Sequence, residues 1–139
     1  MKNSLIDTGY LFAVFDEKDS HHQSCRKIFE REIVTAILPD VVIPEIAYLI
    51  LRELNVKTLV EFLRAIAEGE YLIVRTTADD LNRAAEILEK FNDNNIDLVD
   101  ACIVAIAERL GIEKILTIDR RHFSVFKPIH CESFKLLPE

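Results

Sequence analysis

Four carboxylates stand where folding can bring acids together: Asp7, Glu45, Asp100 and Asp119. Asp7 and Asp119 each follow a short apolar run, residues 3–6 and 114–118. Parallel strands deliver such terminal residues to one edge of a sheet, where open α/β proteins bind ligands. Glu45 follows Pro44 in the first turn of one helix, and Asp100 sits in the first turn of another. Carboxylates that converge raise one another's pKa unless a cation lies among them. Hard oxygen donors of this kind suit Mg²⁺ or Mn²⁺. Such an ion activates water and stabilises charge at a phosphate undergoing in-line displacement. The chemistry open to such a site is metal-assisted displacement at a phosphate.

Each acid also has a plainer structural use. Asp7 can cap a helix over residues 10–15 after the turn at Thr8-Gly9. Glu45 suits the positive end of its own helix. Asp97 and Asp100 have the three-residue spacing of a capping box. Beyond Asp100, however, the helix is apolar on every side: Val99, Ile103, Val104 and Ile106, with Ala101, Cys102, Ala105 and Ala107 between. A helix without a polar face belongs inside a domain, so Asp100 is expected to face a recess at the sheet edge.

These acids need a scaffold, and the chain supplies one in order. Strands are expected over residues 3–6, 35–38, 71–74, 114–118 and near 133–136. Helices are expected over residues 10–15, 21–31 with Ser20 as N-cap, 44–54, 56 to about 69, a segment capped by Thr77, and one from about Asp97 to the turn at Gly111. Pro39-Asp40 reads as a break, and Pro44 as a first helical residue. Beyond Asp119, Arg120 and Arg121 read as a charged loop. Alternating strands and helices indicate an α/β domain whose parallel sheet is covered on both faces. The consecutive helices after Pro44 form a hairpin whose exposed side can serve as a dimer surface. With no linker or repeat, residues 1–139 are expected to form one domain.

Composition narrows the class. The chain of 139 residues is 50% hydrophobic and 29% charged, a globular balance. Three cysteines, Cys25, Cys102 and Cys131, are odd in number and lack a CxxC pair, which points to reduced thiols and a cytoplasmic protein. There is no signal-peptide pattern and no apolar run of the roughly 20 residues that cross a bilayer. The net charge is −7, the wrong sign for a protein that grips nucleic acid through a broad basic surface. Four of those charges belong to the clustered acids, leaving −3, which does not exclude nucleic acid.

The segments LIDTGYLFAVFD, VIPEIAYLIL and LVDACIVAIAERLGIEKILTIDRRHF, in this order and spacing, resemble a PIN domain. Among PIN domains the chain is most similar to the short ribonucleases of VapC-type toxin–antitoxin systems. The resemblance runs from Asp7 to the last strand. It implies an α/β/α sandwich with a parallel sheet of about five strands. It implies a metal pocket of Asp7, Glu45, Asp100 and Asp119, with Asp7 and Asp100 the principal ligands of Mg²⁺ or Mn²⁺. Thr117 matches a supporting hydroxyl, and Thr8 is placed to bond an acid or a phosphate. The implied substrate is RNA, with Arg120, Arg121, His122, Lys114 and Arg52 as candidate contacts. A homodimer and a small antitoxin partner are implied as well. Gly9 stands where the family often carries a small hydroxyl or amide residue.

Other classes fit less well. An aspartate-nucleophile phosphatase needs a second Asp two residues after the first, where this chain has Gly9. A phospho-receiver needs an acidic pair before its Asp and a late Lys, which Asp119-Arg120 does not supply. A PIN fold kept as a binding scaffold would be free to lose its acids, yet all four are present. An RNA-processing nuclease outside any toxin pair is the nearer alternative. His21, His22, Cys25, His130 and Cys131 lack the spacing of a zinc site.

Overall fold

The computed structural model describes residues 2–139. Five short strands, β1 (Ser4–Ile6), β2 (Ala36–Pro39), β3 (Leu72–Val74), β4 (Lys114–Leu116) and β5 (Lys135–Leu137), form one parallel sheet in the order β3-β2-β1-β4-β5. Leu5 pairs with Ile37 on one side and Ile115 on the other, and Ile115 with Leu136 in turn. The central strands are apolar without alternation because both their faces are covered. Leu5, Ile6, Ile115 and Leu116 are all fully buried.

Chain handedness assigns the layers. Parallel strands need crossovers, which are right-handed in nearly every case. The first three strands step outward in one direction. This places α1 (Thr8–Phe15), α2 (His22–Glu32), α3 (Val42–Glu53) and α4 (Val56–Ala67) on one face. The chain then returns across the sheet to β4, so α5 (Ala78–Lys90), α6 (Leu98–Leu110) and α7 (Arg120–Val125) cover the other. The helix contacts follow this division: α1 packs on α2 and α3, α3 on α4, and α5 on α6. The result is a three-layer α/β/α sandwich. The direction of stepping reverses between β1 and β4, whose carboxyl ends flank the crevice where α/β folds bind ligands.

Helix α6 is the spine of its layer. Every residue from Val99 to Ala107 is buried. Only the ends emerge: Leu98 is 53% exposed. Asp97 and Asp100 form a reciprocal capping box, and Gly111 at φ 68° closes the helix in the left-handed conformation that glycine adopts without a Cβ clash. Buried charges beside it are paired. Arg109 lies 3.0 Å from Asp80 and Arg83 2.7 Å from Glu108, which ties α5 to α6.

Some local expectations differ from the structure. Ser20 does not cap α2: its hydroxyl lies 3.3 Å from the His21 ring, and His21 occupies the N-cap without a side-chain bond. Pro44 is the third residue of α3, not the first; its missing N–H is unused anywhere in the first turn, so proline is tolerated there. Pro39 closes β2 and does not break before it. The segment after Asp119 is a helix, not a loop. Six residues are too few for a periodic signal, and α7 is held by the cap on Asp119 and by packing of Phe123 against Phe126 and Phe134, with ring centroids 5.8 and 6.5 Å apart.

Candidate active site

The four acids arrive from four elements. Asp7 is the N-cap of α1 directly after β1, and Asp119 the N-cap of α7 just beyond β4. Asp100 lies in the first turn of α6 and Glu45 in that of α3. All four line one cleft of about 570 Å³, together with Asp97, Gly9, Ile118, Arg120, Arg121 and His122. Gly9 has a packing reason: a Cβ there would stand 3.3 Å from Ile118 Cγ1. The first turn of α1 therefore lies close against the chain leaving β4, which keeps Asp7 and Asp119 near each other.

Asp7 is the most constrained of the four. Its Oδ1 accepts the Thr8 backbone N–H at 2.9 Å. Its Oδ2 accepts the Thr117 hydroxyl at 2.7 Å. The same Thr117 oxygen accepts the Asp119 backbone N–H at 2.9 Å. One fully buried hydroxyl thus fixes the carboxylate after β1 and the backbone after β4. Thr8 contributes through its backbone; its hydroxyl is buried without a hydrogen-bond partner and does not reach an acid.

Electrostatics favour a cation here. Burial is the largest influence on Asp7 and pushes its carboxyl up to about 6, against the Thr117 and Thr8 hydrogen bonds and with help from Asp119 and Glu45. Asp100 is raised further, by burial first and then by the charges of Asp97 and Asp7. Carboxyl groups raised by one another and by burial are those that gain most from a positive ion. The donors are hard oxygens, as Mg²⁺ and Mn²⁺ require. Among the described residues no group of three or more His, Cys, Asp or Glu side chains is already gathered to hold a metal ion. The four acids share one cleft nonetheless.

The basic residues divide. Arg121 is exposed at the rim of the cleft. Arg120 also borders the cleft but donates to the carbonyl of Pro138 at 2.8 Å, so it tethers the end of β5. Arg52 is outside the cleft lining; it pairs with Glu53 at 2.7 Å and stacks 5.3 Å from the Tyr48 ring centroid. Lys114 lies at the other end of β4, 3.1 Å from buried Glu32. That pair borders a larger recess of about 800 Å³ whose charged groups largely satisfy one another. His122 proves far more central than membership in a basic cluster suggests. Its Nδ1 lies 2.8 Å from Asp119 Oδ2 and 3.1 Å from Asp100 Oδ2. Its spacing of three from Asp119 is the available signal, legible only once residues 120–125 are known to be helical. The histidines and cysteines considered for zinc do not form a site.

Comparison with known proteins converges on one family. Residues 4–127 match the PIN domain model. Ribonuclease VapC26 of Mycobacterium tuberculosis is 31% identical over 134 residues, spanning 96% of this chain and 99% of the relative. The crystal structure of Mycobacterium tuberculosis VapC20, a Sarcin-Ricin loop cleaving toxin, superposes with a TM-score of 0.78 at 20% identity, covering 86% of this chain and 92% of that one. A toxin–antitoxin complex from Klebsiella pneumoniae matches with a TM-score of 0.69 at 16% identity, covering 96% and 100%.

Proposed function

The chain belongs to the PIN-domain family, and on that premise we propose that it is a metal-dependent endoribonuclease, the toxin of a toxin–antitoxin pair. The observation that carries the reading is the convergence of Asp7, Glu45, Asp100 and Asp119 on one cleft at the β1/β4 reversal. Its near full-length similarity to a ribonuclease supports RNA as the substrate. The whole chain, residues 1–139, acts as a single nuclease domain.

Asp7 and Asp100 are the principal ligands of Mg²⁺ or Mn²⁺, and Glu45 and Asp119 complete the pocket. When bound, the ion supplies Lewis-acid activation of water and charge stabilisation at the scissile phosphate. The protein's own contribution is positional. Thr117 orients Asp7 and holds the backbone at Asp119. The capping box fixes the backbone around Asp100. Arg121 at the rim offers its charge to the RNA backbone, which carries the acidic chain past its own unfavourable net charge.

The partner assignments rest on surfaces. Tyr48, Leu51, Val56, Val60 and Leu63 are exposed on the α3–α4 hairpin, apolar groups suited to a homodimer contact. A small antitoxin that occludes the cleft is the natural regulator, and the similarity to a toxin–antitoxin complex from Klebsiella pneumoniae supports such a partner. No helix among the described residues is long and apolar enough to cross a membrane. Free Cys25, Cys102 and Cys131 suit the reducing cytoplasm. A mixed pool of structured RNAs, incubated with Mg²⁺, Mn²⁺ or chelator, tests the activity. Cutting that persists in chelator would overturn the metal-dependent reading.

A further inference from the structure

We propose that His122 is a positioning residue of the acid pocket, acting through its Nδ1 edge to hold Asp119 and Asp100 in the geometry that receives the metal. The inference deepens the nuclease reading and rests on it.

His122 engages Asp119 twice. Asp119 Oδ1 accepts the His122 backbone N–H at 3.2 Å, while Asp119 Oδ2 lies 2.8 Å from His122 Nδ1. Both oxygens of one acid thus face a single residue. The same ring nitrogen is 3.1 Å from Asp100 Oδ2, an oxygen already accepting the Asp97 backbone N–H at 3.2 Å. His122 therefore bridges two acids from two elements, the start of α7 and the first turn of α6.

The contact is electrostatic and shared. Nδ1 is buried, yet neither oxygen has the alignment of a full hydrogen bond. Nδ1 stands within 3.1 Å of one oxygen of each acid. The opposite edge of the ring opens toward the cleft, with the side chain 28% exposed.

The helix that carries the ring is packed from behind. The next residue, Phe123, is 1% exposed and packs on Phe126 and Phe134. Phe126 in turn meets Phe91 at 5.4 Å, edge to face. This aromatic cluster packs α7 against the core. Groups behind metal ligands commonly set ligand orientation, and losing one costs about 10–100-fold in metal affinity or activity.

The two edges of the ring can be separated by substitution. Asn carries an N–H donor to about the place of Nδ1, whereas Gln reaches toward the place of Nε2. Mn²⁺ affinity by calorimetry, RNA cleavage and melting temperature would be measured for wild type, His122→Ala, His122→Asn and His122→Gln. Positioning through Nδ1 gives a 10–100-fold loss of Mn²⁺ affinity in His122→Ala, recovery to within a few-fold in His122→Asn, and none in His122→Gln. A melting temperature that falls equally in all three does not alter that ranking, which remains decisive. Rescue by Gln and not by Asn would overturn the proposal, because the working edge would then face substrate. Wild-type binding with unchanged affinity in His122→Ala would overturn this inference alone. A wild-type protein that binds no Mn²⁺ would overturn it together with the metal-nuclease reading.

Discussion

The Thr117 hydroxyl donates to Asp7 Oδ2 at 2.7 Å across 110 residues of sequence. The same oxygen accepts the Asp119 N–H at 2.9 Å, so both its proton and a lone pair are used inside the core. This one group locks the carboxyl ends of β1 and β4 together. Thr117→Val leaves a buried carboxylate oxygen and a buried N–H without their partner, at a cost of about 1–3 kcal/mol each. Melting of the metal-free protein should fall by several degrees and Mn²⁺ affinity should drop, while Thr117→Ser, which keeps the hydroxyl, should restore most of both. Equal loss in Val and Ser variants would mean that the methyl group, not the hydrogen bonds, matters.

Removing charge from the pocket should separate activity from stability. Asp7→Asn or Asp100→Asn removes a proposed metal ligand and should lower cleavage by at least about 100-fold, beyond what loss of an outer-shell partner costs. The same change relieves repulsion and the burial of charge in the metal-free protein. Its melting temperature is expected to hold or to rise. A scan showing either variant unfolded would remove that explanation of the raised carboxyl groups.

The pH dependence has a definite sign. Asp7 holds its proton to about 6 in the folded chain, against an ordinary value of 3.8, and Asp100 is raised in the same direction. The folded state therefore binds protons that the unfolded state has released. That advantage is complete below the ordinary value and is lost as pH rises through about 6 and beyond. For Asp7 alone it amounts to roughly 3 kcal/mol, from a shift of about two pKa units. Metal-free protein should therefore lose stability from this pocket between about pH 4 and pH 8, and Mn²⁺ at pH 8 should recover it by mass action. Asp7→Asn should flatten the profile; an unchanged profile in that variant would contradict the assignment.

The arginines should not behave alike. Arg121 borders the cleft and is exposed, whereas Arg52 is committed to Glu53 and Tyr48 outside it. Arg121→Ala should weaken RNA binding and reduce its salt slope by about one, leaving Mn²⁺ affinity unchanged. Arg52→Ala should change RNA affinity less. Filter binding across a salt series distinguishes them, and the reverse order would place the RNA path along α3 instead.

Much of this arrangement is legible in the amino-acid sequence. Apolar runs ending in Asp mark the strand ends, because parallel strands buried on both faces need no alternation. The unbroken apolar stretch after Asp100 marks α6 as interior. What escapes such reading is short or mutual. Six residues of α7 carry no periodic signal, so Arg120 and Arg121 read as a loop and His122 as one more base. Ser20 is a good capping type by preference, yet the cap falls at His21, after a turn in which Asp19 accepts the His21 and His22 backbone N–H groups. Arg52 follows Glu45 by seven residues on one helix, but its nearest acid, Glu53, captures it. Such local competition is invisible in spacing alone.

The most direct measurement is cleavage of a mixed pool of structured RNAs by purified protein with Mn²⁺, beside the Asp100→Asn variant and a chelator control. Metal-dependent cutting by wild type, lost in the variant and in chelator while both proteins stay folded, is the expected result. Cutting that survives Asp100→Asn, or wild-type protein that is folded but neither binds Mn²⁺ nor cuts, would contradict an acid pocket built for metal-assisted hydrolysis of RNA.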